Sequence, residues 1–161
     1  MSGYDPNNVF AKILRGEMPA TKVYEDDVAL AFMDIMPRAD GHVLVIPKSP
    51  ARNLMDIDPA VLSGLIQRVQ KVAKAAVAGM GAEGVSIQQF NESAGGQIVF
   101  HIHFHILPRW TGVSLRPPGQ MGDKAAIAAH AEKIKAALGS AARGAIDSRT
   151  PPISRRRSIR S

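Results

Sequence analysis

Three of the chain's five histidines, His101, His103 and His105, stand on alternate positions of the run HIHFHIL, residues 101–107. In an extended segment residues two apart share a face, so the imidazoles line one side while Ile102, Phe104 and Ile106 take the other. With the apolar set packed against a neighbouring layer, the histidines form a site and not a core. Two chemistries use such a row. Neutral imidazoles on alternate strand positions bind zinc or another transition metal. Alternatively, one ring is a nucleophile and the others hold hydrogen bonds around it. With an ordinary pKa of about 6.5, imidazole has a useful neutral fraction at pH 7 for either role.

The residues upstream bear on the choice. Gly95, Gly96 and Gln97 lead straight into the row. Glycines let backbone N–H groups approach a ligand closely, and successive turn N–H groups make an anion-binding concavity. A phosphate cradled ahead of the histidines points to phosphorus chemistry, although a tight turn between strands uses the same residues. Histidine metal sites commonly recruit a carboxylate or thiolate. The chain has no cysteine, and no acid lies within the histidine segment.

The elements that must carry these residues follow from periodicity. A short helix is expected over 8–15, with Val9, Phe10, Ile13 and Leu14 on one side and Gly16 ending it. TKVY and VALAFMDI read as strands joined by a turn at Glu25-Asp26-Asp27, and HVLVIPK is a third strand. Asp58 caps a long helix with Pro59 in its first turn, and Val61, Leu62, Leu65, Ile66, Val69, Val72, Ala73 and Ala76 form its apolar stripe until Gly79 and Gly81. VSIQQF is a fourth strand, NESAGGQ a polar turn, and residues 98–107 the fifth strand. A second long helix spans 125–138. Short turns between strands and irregularly placed helices give α+β rather than a βαβ winding.

At 161 residues the chain fits one domain over 1–138 with a tail over 139–161. Of the formal charge of +6, +5 sits in that tail, which holds six arginines and one acid; residues 1–138 carry 14 basic and 13 acidic groups. The body is therefore near neutral at +1, with no basic face to hold nucleic acid, and the tail, without a periodic apolar pattern, is expected to be mobile. No stretch is apolar enough for a membrane span. MSGYDPNN lacks the features of a secretory signal, so a cytoplasmic location is expected.

Residues 101–107 match the signature His-φ-His-φ-His-φ-φ, φ being apolar, at every position, and the chain resembles the histidine triad (HIT) family from about Val9 to Leu138. The segments VFAKILRGEMPATKVYEDDVALAFMDIMPRADGHVLVIPK, NESAGGQIVF and LPRW extend the likeness, which lies nearest to Hint-type purine nucleoside phosphoramidate hydrolases and small bacterial relatives. The resemblance implies a five-stranded antiparallel sheet with two main helices, dimerising into a ten-stranded sheet. It implies hydrolysis at the α-phosphorus of a purine nucleotide through a nucleotidyl-histidine intermediate, with no cofactor. Carried over by position, His103 is the nucleophile, His101 and His105 hydrogen-bond the phosphate and leaving group, and His42 joins them. Asp34 accepts the ribose hydroxyls. Val9, Phe10, Ile13, Phe32, Ile35 and Leu44 line the base pocket, and Asn91, Gly96, Gln97, Ile98 and Val99 contact phosphate and ribose. Many bacterial members hold a structural zinc with Cys-x-x-Cys and a later histidine; here those positions are Asn8, Ala11 and Pro50, so no metal is expected. His130 matches no family histidine and is read as a surface or interface residue. Cleavage of diadenosine polyphosphates, nucleotide binding without catalysis, and a metal-dependent activity are the competing readings.

Overall fold

The computed structural model describes residues 3–147, and side chains over 3–141. Helix α1 (Val9–Leu14) precedes strands β1 (Lys22–Glu25), β2 (Ala29–Met33) and β3 (Val43–Pro47); helix α2 (Pro59–Met80), β4 (Gly84–Gln88), β5 (Phe104–Arg109) and α3 (Lys124–Asp147) follow. The strands form one antiparallel sheet in the order β1-β2-β3-β5-β4. The fold is thus the expected five-stranded α+β sheet with two main helices.

Local chemistry explains the boundaries. Asn8 caps α1, its side chain accepting from the Ala11 N–H, and Asp58 does the same for Ala60 and Val61 at the start of α2. Asp26 takes the N–H groups of Val28 and Ala29 and so closes the β1–β2 turn. All five residues of β2 and of β3 are buried, because both faces of the central sheet are covered. Ala29, Ala31, Met33, Val43, Val45, Phe104 and Ile106 pack beneath Leu65, Val69 and Val72 of α2 and Ile127, Ala131 and Ile134 of α3. On the other face Leu30, Phe32, Leu44 and Ile46 pack with Phe10 and Ile13 of α1.

Two boundaries and one buried face differ from the sequence expectation. The ladder of β5 begins at Phe104, not near residue 98, because its partners run out: pairing with β3 ends at Val45↔Phe104 and with β4 at Gln88↔His105. Beyond Val45 the β3 strand reaches Pro47, which has no N–H and whose carbonyl is taken by the His101 ring. In α2, Ile66 of the expected stripe is exposed, and Ala75 is buried instead. Helix α3 continues past residue 138 to Asp147, an alanine-rich run that favours helix. The rest of the expected mobile tail, 148–161, lies outside the described residues. No described helix is long and apolar enough to cross a membrane.

Candidate active site

The alternation of the histidine run survives although half of it lies outside the ladder. Ile102, Phe104 and Ile106 are buried in the helix-facing core, and the Ile102 N–H is held by the Ala51 carbonyl (2.9 Å). The imidazoles face the α1 side, where His101 and His103 are also buried and His105 is partly open. His42 reaches the same place from the first residue before β3. Its approach depends on Gly41, whose φ of +80° and whose position, with a Cβ site 2.7 Å from Met80 Cγ, leave no room for a side chain.

The hydrogen bonds assign the ring protons. His103 Nδ1 lies 2.7 Å from the His101 carbonyl, an acceptor only, so Nδ1 carries the proton and Nε2 keeps its lone pair. Phe10 packs edge-on against that ring at 4.9 Å. The Arg38 N–H donates to His42 Nδ1 (3.1 Å), which places the His42 proton on Nε2, directed at His105 Nδ1 (3.0 Å). His105 is then left with its proton on Nε2. The site therefore presents a bare nitrogen on His103 beside an N–H on His105, the ring centres 4.9 Å apart.

His101 is placed differently from the role the family pattern implies. Its Nε2 donates to the Pro47 carbonyl (2.9 Å) and its Nδ1 accepts from the Tyr4 hydroxyl (2.7 Å), so both nitrogens are engaged within the protein. Its contribution to the centre is the carbonyl that orients His103. Tyr4 was not singled out from sequence: a lone tyrosine near the start carries no spacing signal, and only the folded chain brings it across 97 positions to His101.

Burial penalises the imidazolium form throughout the cluster. Desolvation holds His103 and His101 below the ordinary histidine value. Desolvation and the neighbouring His103 and Arg38 bring His105 down to about 4, and desolvation with His105, Arg38, His103 and Arg116 brings His42 down to about 3. Asp34, half-buried, is pushed up by desolvation despite the Met36 N–H on its Oδ1 (2.8 Å).

Asp34, His42 and His105 offer three ligand atoms within 4.8 Å of one another, the one grouping among the described residues that a metal could use. Asp34 Oδ2 stands 3.5 Å from His42 Nε2. The donor set does not fit. A metal on His42 Nε2 needs the proton on Nδ1 and an acceptor facing it. Facing it is the Arg38 N–H, a donor.

The expected pocket residues divide into floor and rim. Phe10, Ile13, Phe32 and Leu44 are buried together, and Val99 packs against them. Val9 and Ile35 are exposed at 37% and 56%, and Ile98 at 82%. In the turn before the histidines, Gly96 N–H and Gln97 N–H are used internally, on Ser93 and Glu92 carbonyls (3.0 Å each). The side chains of Asn91 and Gln97 are likewise engaged within the protein. Among the described residues, the backbone N–H groups of Ile98 and Val99 have no acceptor in the protein. Glu92 sits at φ 61° and ψ 164°, a region costing a residue with a side chain about 1–3 kcal/mol.

Known proteins share this sequence pattern and fold. A family model described as the HIT domain matches residues 15–112. The crystal structure of a Hit-like protein involved in cell-cycle regulation from Bartonella henselae is similar at a TM-score of 0.81 and 49% identity, over 84% of this chain and 99% of that one. Adenylylsulfatase HINT3 of Arabidopsis thaliana is 38% identical over 124 residues, 73% of this chain and 63% of that protein, so the chain spans less than two thirds of that relative. Adenosine 5′-monophosphoramidase hnt1 of Schizosaccharomyces pombe is 38% identical over 101 residues, 63% of this chain and 73% of that one. With the histidine row on the sheet face that the motif requires and the domain match over more than half its length, the chain belongs to the HIT family.

Proposed function

We propose that the protein is a nucleotide hydrolase that opens a bond at the α-phosphorus of a purine nucleoside phosphoramidate or related conjugate, with His103 as nucleophile. The observation that carries this reading is the proton placement: His103 keeps an unprotonated Nε2 without a protein partner, and His105 offers an N–H beside it. The names of two relatives, an adenylylsulfatase and an adenosine 5′-monophosphoramidase, support the substrate class.

In the first half-reaction the Nε2 lone pair of His103 forms a bond to phosphorus. The P–N or P–O bond to the leaving group breaks, and that group departs with the electron pair. An amine leaves neutral with a proton taken up from solvent, and an oxyanion leaves as such. His105 Nε2–H donates a hydrogen bond to the departing atom or a phosphoryl oxygen. The Ile98 and Val99 N–H groups, which have no protein acceptor, would take the remaining charge. In the second half-reaction water attacks phosphorus, the P–N bond to His103 breaks, one water proton passes to solvent, and neutral His103 returns. Splitting the displacement in two is the gain from the covalent intermediate. Phe10, Ile13, Phe32 and Leu44 form the apolar floor under the base, and Asp34 receives the ribose hydroxyls.

The reading extends to a homodimer. Strand β4 is a sheet edge, and its exposed Val85 and Ile87 border a groove of about 530 Å³ lined by Ile66, Val69, Ala73 and Val77 of α2. A second copy pairing along β4 would satisfy the unpaired edge and cover the groove at once.

Turnover of adenosine 5′-phosphoramidate, adenylyl sulfate and diadenosine tetraphosphate by the parent and by His103→Ala tests the assignment. AMP release by the parent, lost by at least about 10³-fold in the folded variant, is expected. Equal rates in both proteins would remove His103 from the mechanism.

A further inference from the structure

We propose that Glu92 is a positioning residue for the substrate phosphate: pinned by Arg52, it holds the turn so that the Ile98 and Val99 N–H groups stay free ahead of His103. The inference rests on the nucleotide reading above. Glu92 is the one residue other than glycine with a positive φ among the described residues. A conformation of that kind persists only where its surroundings over-determine it, and such positions gather at ligand clamps.

The surroundings here are specific. The Glu92 carboxylate accepts from Arg52 Nε (2.8 Å) and Nη2 (3.0 Å) and from the Asn53 amide. Its N–H donates to Gln97 Oε1 (2.8 Å), and its carbonyl accepts from the Gly95 and Gln97 N–H groups (3.0 Å each). Gln97 completes the frame by donating to the Arg52 carbonyl (2.7 Å) and the Val99 carbonyl (3.1 Å). Asn53 and Gln97 are 0% and 3% exposed, so these bonds are made away from water.

Arg52 also lies over the Phe100 ring, 4.2 Å from its centre. One guanidinium thus grips the chain on both sides of the free donors, at Glu92 before them and at Phe100 after them. A bidentate pair that also receives a buried amide has a fixed geometry that a solvated surface pair lacks. The contacts engage the Glu92, Gly95, Gly96 and Gln97 N–H groups and the Gln97 side chain within the turn, and leave the Ile98 and Val99 N–H groups without a protein acceptor. Two successive free N–H groups leading into the histidine row are what a phosphate-binding segment needs.

The test separates phosphate binding from fold stability. AMP and adenosine are titrated calorimetrically into the parent, Glu92→Gln, Glu92→Gly and, as a control, Asp26→Asn. The control weakens the comparable Arg68–Asp26 pair on the β1–β2 turn (2.9 Å). For Glu92→Gln the AMP Kd is expected to rise at least about fivefold while the adenosine Kd stays within about twofold. Glu92→Gly relieves the backbone conformation but removes the clamp, and its AMP affinity is expected to fall further with adenosine unaffected. Asp26→Asn leaves both constants unchanged whatever it does to Tm. Unchanged AMP binding in both Glu92 variants, or parallel losses for AMP and adenosine, would overturn the proposal. A parent that binds AMP no more tightly than adenosine would overturn the nucleotide reading itself.

Discussion

At the scale of single residues the centre works by assigning protons before any substrate arrives. As the proposed nucleophile, His103 needs its Nε2 bare, and the His101 carbonyl secures that by holding the other nitrogen's proton. His101 must therefore stay put, which the Pro47 carbonyl and the Tyr4 hydroxyl ensure. Tyr4→Phe leaves His101 Nδ1 buried and unsatisfied, and a stability loss of about 1–3 kcal/mol is expected by denaturant unfolding. The pH profile follows from the same burial. Because His103 is held below the ordinary histidine value, the acid limb of kcat/KM is expected with its midpoint below the usual 6.5. A midpoint at or above that value would contradict the desolvated nucleophile. Gly41→Ala sets a methyl group against Met80 at a positive φ, and a loss of about 1–3 kcal/mol with reduced activity is expected through displacement of His42.

At the scale of elements the legible part was what repeats. The stripe along α2, the Asp58 cap and the alternation through β5 all follow from side-chain periodicity, and the structure places them within a few residues of expectation. Where the strand carrying the histidines starts was not legible, because it depends on where β3 and β4 end, not on residues 98–103 themselves. The same holds within the site. His103 and His105 stand together as their spacing implies, whereas the engagement of His101 with Tyr4 and the pinning of Glu92 arise from segments far apart in sequence. The exposed Ile66 of α2 is a deviation with a use, since it borders the groove beside β4. If that edge pairs with a second copy, Ile87→Lys is expected to shift the protein to monomer by sedimentation while its fold remains. A parent already monomeric at high concentration would contradict the dimer.

At the scale of the whole molecule, one sheet separates two tasks. Its helix-facing side supplies the main core, and its other side carries a second apolar cluster with the histidines at its edge. Burying four neutral imidazoles ties stability to pH. Their folded pKa values are depressed, so the unfolded chain binds more protons as pH falls below about 6.5, and stability is lost through that window toward about 3, the His42 value. Melting temperature is expected to drop between pH 7 and pH 5, and less steeply in His42→Asn than in the parent. In the proposed mechanism His103 becomes covalently bonded to phosphorus. Rapid quenching of the parent with adenosine 5′-phosphoramidate, followed by peptide mass mapping, tests it most directly. An adenylyl group on His103 that forms and decays at the rate of turnover is the expected result. Turnover with no adduct on His103, or an adduct on another residue that keeps pace with it, would contradict the account.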